Sequence, residues 1–295
     1  MITELRSKSG GAYSLSELTR IFKVSRSGYR HHISDPMTES RKRNIELIAE
    51  IRAIHKDPNL KTYGSPRMTE ELKERGYEVC ENTVAKLMAE NGIVAKGTKA
   101  FRPPKTTIAD PKAKYSPNLI KGKTPSRFGE ILISDITYIR TKEGWLYLAV
   151  VIDLYSRAVL GWQVGNRMPA SLVTRALEEA LRTWQFDPGR TIFHSDRGSQ
   201  YTSLELRNLL KERRITQSMS ATGNCYDNAT CESFFASLKR ELLPECGYFD
   251  SRFLAQAALF QHLEGFYNTR RKHSSLGMIS PIQFINKTED KALAA

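Results

Sequence analysis

At 295 residues and 40% hydrophobic content, the chain can hold one large core with one or two small domains beside it. Its 45 Lys+Arg against 32 Asp+Glu leave a net charge of +13 and an isoelectric point near 9.6, which suits a polyanionic partner. No apolar stretch approaches the roughly 18–20 residues of a helical membrane span, the start lacks the apolar core of a signal peptide, and Cys80, Cys225, Cys231 and Cys246 form no C-x-x-C pair, so a cytoplasmic protein without zinc or disulfides is expected.

The charge is uneven. Residues 1–125 carry 24 Lys+Arg against 14 Asp+Glu, whereas residues 126–295 carry 21 against 18. Residues 14–33 read as helix, turn, helix, with Ser14 or Ser16 capping the first helix and Ser25 the second. The second helix carries Arg26, Tyr29 and Arg30, which suit phosphate or base contacts. The same pattern also fits a helical hairpin that only packs.

Residues 40–92 read as three helices. Ile45, Ile48, Ile51 and Ile54 mark the first; Ser65 and Pro66 open the second, and Gly76 stops it; Val84, Leu87 and Met88 lie along the third. Residues 94–125 then lose all apolar periodicity. They hold eight Lys or Arg, several prolines and one acid, Asp110. An extended basic linker is expected there, either a solvated tether or a strip along a DNA backbone through Lys96, Lys99, Arg102 and Lys105.

From Arg127 the pattern is strand-like. Ile131–Ile139, Leu146–Ile152 and Ala158–Val164 are joined by short connections, so antiparallel neighbours are expected. A helix over 170–184, a strand over 191–194, a helix over 203–213 and a strand over 215–219 follow. A helix containing Glu232 comes next, then another near 253–267 and the basic run Arg270-Arg271-Lys272. This order predicts a mixed α/β sheet with helices packed on it. The domain expectation is 1–36 helix-turn-helix-like, 37–93 helical and DNA-binding, 94–125 linker, 126–250 catalytic core and 251–295 helical extension.

Three acids stand out. Asp135 interrupts an apolar strand, a costly place for a charge unless something pairs with it or coordinates it. Asp196 ends the fourth strand, which is expected beside the first, and Glu232 opens a helix expected to cross the sheet edge. Carboxylates converging from three such elements favour Mg²⁺ or Mn²⁺, and two ions about 4 Å apart suit an in-line displacement at phosphorus. Lys239, two helical turns after Glu232, can reach a phosphate near the reacting bond; Arg240 has a weaker claim.

The stretches Asp135-Ile136-Thr137-Tyr138, His194 to Tyr201 and Asn224 to Lys239 closely resemble the DDE transposases of bacterial insertion sequences. So do Tyr63-Gly64-Ser65-Pro66-Arg67 and the segment Phe266 to Leu276. Those enzymes belong to the retroviral-integrase superfamily, with a ribonuclease-H-like core. The resemblance implies a five-stranded mixed sheet, Asp135, Asp196 and Glu232 as ligands of two Mg²⁺ or Mn²⁺ ions, and Lys239 as the lysine that follows the glutamate. It implies a DNA transposase that cleaves the element's terminal repeats to expose 3′-hydroxyls and joins them to target DNA. It also implies a homodimer or larger assembly on DNA, and an upstream-frame helix-turn-helix protein or fusion as partner. A metal-dependent structure-specific endonuclease and an inactive DNA-binding regulator are the competing readings.

Overall fold

A computed structural model describes residues 1–8, 12–34, 38–96, 115–220 and 229–293. They divide into two units, one of Met1–Asp57 with Gly64–Val94, the other of Pro58–Tyr63 with Ala95–Ala295.

The first unit is all helical: α1 (Ile2–Lys8), α2 (Leu15–Ile21), α3 (Arg26–Ser34), α4 (Glu39–Lys56), α5 (Ser65–Glu74) and α6 (Glu81–Glu90). Ser14 closes a capping box with Glu17 at the start of α2, satisfying two backbone donors at once. The Ser25 hydroxyl accepts from the Gly28 amide at the start of α3. Leu18 and Tyr29 are buried, so α2 and α3 share a small core. Along α4 the buried stripe is Leu47, Ile51 and Ile54, while Ile45 lies 49% exposed. A strict three-residue step drifts off the face of a 3.6-residue helix, and Ile45 falls on the wet side. Ser65 is not the cap of α5. That position is Gly64, with Pro66 in the first turn, where a missing amide costs nothing.

The second unit is built on β1 (Ile131–Thr141), β2 (Gly144–Asp153), β3 (Val159–Gly165), β4 (Ile192–Ser195) and β5 (Thr216–Met219), in the order β3-β2-β1-β4-β5. β1, β2 and β3 pair antiparallel, and β4 is parallel to both β1 and β5. Alternation along the strands sorts side chains to two cores. Ile131, Ile133, Leu148, Val150 and Ile152 face one side, and Leu132, Ala149 and Val151 the other. The second face is covered by α7 (Ala170–Thr183) and α8 (Leu204–Glu212). β3 lies close to α7 at Gly161, where a Cβ would collide with the Ala176 carbonyl oxygen and the Ala180 nitrogen.

The first face is covered by α9 (Ala229–Leu242) and α10 (Arg252–His262), the latter running into a π-helical turn, Leu263–Tyr267. α9 sets Cys231, Phe234, Phe235 and Leu238 over β1 and β2. It therefore crosses the sheet's face rather than its edge, because its apolar stripe needs that surface. The expected helical extension holds a further helix, α11 (Pro281–Leu293), beyond the one read near 253–267. Ile285 joins the α7–α8 core, and Phe284 packs edge-on against Tyr155.

The stretch expected to be linker is partly core. The Ser116 hydroxyl donates to Gln217, the Leu119 amide donates to the Ser218 hydroxyl, and Ile120 is buried. Residues 97–114, with Lys99, Arg102 and Lys105, lie outside the described residues. No helix among the described residues is long and apolar enough to cross a membrane.

Candidate active site on the face covered by α9

The strand pairing sets the site. Ile133 on β1 lies opposite His194 on β4 in a parallel register. Two residues further along β1 comes Asp135, and one residue past the end of β4 comes Asp196, so the two acids reach the same level on adjacent strands. Asp135 has the parity of Ile131 and Ile133, which points it toward α9. Its Oδ1 accepts from the Ile136 amide at 2.8 Å. Asp196 closes an Asx turn, its Oδ1 accepting from the Gly198 amide at 2.9 Å. The next residue, Arg197, donates to the Ser220 carbonyl and stacks 4.6 Å over the Tyr115 ring, pinning this turn to the end of β5.

Glu232 lies in the first turn of α9 and is exposed. Its neighbour Cys231 is fully buried. Burial pushes the Cys231 thiol well up, and the carboxylates of Asp135, Asp196 and Glu232 push it further. All three charges are thus felt at one sulfur. Tyr201 is buried and exchanges a hydrogen bond with Ser134; burial raises its hydroxyl too, with Asp135 and Asp196 adding to the effect. Among the described residues no three His, Cys, Asp or Glu side chains stand close enough to enclose an ion. The carboxylates share a neighbourhood without closing into a cage. As a donor set they are hard, anionic oxygens, which fits Mg²⁺ or Mn²⁺ and not a soft ion.

Lys239 is half-buried on α9. Desolvation lowers its pKa while the Asp135 charge opposes that, and its ammonium sits 4.7 Å from the Tyr138 ring centroid. It therefore lies on the Asp135 side of the helix.

The other expected DNA contacts fare differently. Arg26 and Arg30 are exposed on α3, and Arg240 and Arg270 are exposed in the second unit. The Lys96 ammonium is half-buried and donates to the Leu243 carbonyl. Arg271 and Lys272 are corrections: each is 3% exposed, leaving no surface for a phosphate. Arg271 instead forks onto Glu241 of α9, with Nε–Oε2 at 2.8 Å and Nη2–Oε1 at 2.6 Å. The rest of that segment is equally committed. The Tyr267 hydroxyl donates to the Arg157 carbonyl, the Asn268 amide bonds both backbone groups of Val159, and the Lys272 amide donates to the Tyr63 hydroxyl. Phe266 to His273 is a latch that holds α9 and the β2–β3 turn. Sequence reasoning missed it; the available signal was the apolar Phe266-Tyr267 pair leading directly into the charges.

His262, at the end of α10, lies 3.7 Å from Glu241 beside this latch, and burial holds its imidazole down at about 4, with Glu241 pulling the other way. In the unfolded chain it titrates near 6.5. Between those values the unfolded state carries a proton the folded state lacks, so stability falls as pH drops through that window, by up to about 3 kcal/mol. Urea unfolding from pH 7 to pH 4 should show wild type losing more stability than His262→Gln; parallel curves would exclude His262 as the source.

Asp153, another acid at a strand end, serves the β2–β3 turn, accepting from the Gly129 amide and from both the amide and hydroxyl of Ser156.

Comparison with known proteins agrees with this architecture. The family described as "Integrase core domain" matches residues 125–225, a second of the same description matches 213–281, and an "HTH-like domain" matches 39–101. The chain is 40% identical over 292 residues to the transposase InsF for insertion sequence IS3A of Escherichia coli (strain K12), covering 95% of this chain and 96% of that protein. It is 37% identical over 276 residues to a 31 kDa protein of insertion element IS600 of Shigella sonnei, covering 93% and 100%. Similar solved structures include the catalytic core domain of BIV integrase (TM-score 0.42, 20% identity, 56% of this chain and 99% of that one). The simian T-cell lymphotropic virus intasome in complex with a PP2A regulatory subunit is another (TM-score 0.45, 16% identity, 76% and 70%).

Proposed function

Since the chain belongs to the insertion-sequence IS3 transposases, we propose that it cleaves DNA at the ends of its mobile element and joins the exposed 3′-hydroxyls to target DNA. In cleavage, water attacks the scissile phosphorus as the bond to the 3′-oxygen breaks. In joining, that 3′-hydroxyl attacks a target phosphate as the target's own 3′-oxygen leaves. One observation carries this reading: Asp135 on β1 and Asp196 just past β4 stand at one level on adjacent parallel strands, on the sheet that α9, with Glu232 in its first turn, covers.

Asp135, Asp196 and Glu232 would hold two Mg²⁺ or Mn²⁺ ions, which when bound ease charge build-up on the attacking and leaving oxygens. The turn at Gly198 orients the Asp196 carboxylate, and the Ile136 amide orients that of Asp135. Lys239, partly withdrawn from water, grips a phosphate oxygen more strongly than a solvated lysine does. Arg26 and Arg30 on α3 offer exposed charge for phosphate contacts at the element ends. Joining two ends requires both in one complex, so a dimer or larger assembly on DNA is part of this proposal, as is an upstream-frame helix-turn-helix partner or fusion.

The test is incubation of the protein, alone and with such a partner, with end-labelled element DNA, target DNA and Mg²⁺. Labelled strands longer than the substrate are expected, since joining extends the cleaved strand. Shortened strands alone would assign hydrolysis and overturn the transposition reading.

A further inference from the structure

Arg157 sits in the turn between β2 and β3 at φ 62, a left-handed conformation that side chains disfavour and glycine does not. Its backbone is held from both sides. The Arg157 amide donates to the Asp153 carbonyl at 2.9 Å, and its carbonyl accepts from the Tyr267 hydroxyl at 3.1 Å. Such a conformation persists where the surrounding structure holds it. The Arg157 side chain reaches across to α9, where Nη1 donates to the Thr230 hydroxyl at 2.8 Å. Thr230 precedes Glu232 by two residues in the same helical turn. The apolar stripe of Cys231, Phe234 and Leu238 already anchors the helix to the sheet. Cys231 seats the buried side of the first turn, and the Arg157–Thr230 bond is a second, polar tie on the same turn.

With Glu232 read as a metal ligand, as above, we propose that Arg157 is a positioning residue for the carboxylate: through Thr230 it fixes the turn of α9 that carries Glu232. Its side-chain contact on α9 is Thr230, and its influence on the carboxylate runs through that residue. Partners that orient a ligand in this way typically alter metal affinity about 10-fold or more when lost.

Arg157→Gly separates this role from plain stability, because glycine relaxes the backbone while deleting the side chain. Manganese binding to the full chain, followed by electron paramagnetic resonance, should weaken about 10-fold. The Mg²⁺ concentration for half-maximal cleavage of element-end DNA should rise by a similar factor, with the melting temperature unchanged or higher. Amide exchange over residues 230–235 should quicken. Thr230→Val should reproduce the shift, the double variant should add nothing to it, and Arg157→Lys should restore part. Glu232→Gln serves as the reference. Weakened manganese binding in Glu232→Gln with wild-type binding in Arg157→Gly would overturn the role of Arg157 alone. Wild-type manganese binding in Glu232→Gln would overturn the ligand reading and the positioning role with it. A fall in melting temperature without a metal shift would leave Arg157 a structural residue only, against the proposal.

Discussion

Asp135→Asn, Asp196→Asn and Glu232→Gln are each expected to lower Mg²⁺-dependent cleavage of element-end DNA by about 10³-fold or more, with DNA binding and melting temperature near wild type. The magnitude follows from what a bound ion contributes to charge stabilisation at phosphorus, several kcal/mol, at roughly tenfold in rate per 1.4 kcal/mol. The amide replacements keep shape and one acceptor oxygen but remove the charge that holds a hard cation. Their local bonds survive: the Ile136 and Gly198 amides can still donate to the remaining oxygen of residues 135 and 196. Glu232 is exposed, so its replacement does not disturb the core. Gel-based cleavage beside a DNA-binding titration separates the steps. Retained cleavage in any one variant would remove that residue from the metal-binding set.

The second large effect is on stability. Arg271→Ala and Glu241→Ala should each cost about 3–5 kcal/mol, read as a loss in urea-unfolding free energy. Both side chains are 3% exposed and joined through two short parallel bonds. Burial pulls the Arg271 pKa down, but the Glu241 hydrogen bonds and charge outweigh it and hold it above the ordinary value. The guanidinium also lies 5.5 Å from the Tyr267 ring centroid. Removing either partner strands the other charge in a dry interior, and that stranded charge is the source of the cost. Glu241→Leu with Arg271→Met removes both charges together and should recover most of the loss. A double variant as unstable as either single one would mean that the geometry, and not the unpaired charge, carries the energy.

Much of the second unit was readable because near-continuous apolar runs marked the central strands and one acid interrupted the first of them. Asp135 stood out as a charge inside Ile131–Ile139, and the short connections after it made β2 and β3 its antiparallel neighbours. What could not be read depends on partners distant in the chain. Arg271 looks like a surface cation until Glu241, 30 residues earlier, is brought beside it. The bond from Arg157 to Thr230 spans 73 residues, and no local pattern announces it. Ile45 failed for a simpler reason, as a three-residue step imitates a helical stripe for only a turn or two. α11 fell within the expected helical extension without bounds of its own, although Pro281 followed by Ile282, Phe284 and Ile285 carries a helix start and an apolar face.

The latch from Phe266 to His273 also sets the order in which the molecule becomes complete. During synthesis Asp135, Asp196 and Glu232 all leave the ribosome before Asn268 and Arg271 do. A chain cut short between Glu232 and Phe266 carries every carboxylate of the candidate site. It lacks the side chains that close on Val159, Arg157 and Glu241. The groups suited to cutting DNA are thus made first and tied down last, so an unfinished copy has the acids without the frame that aims them.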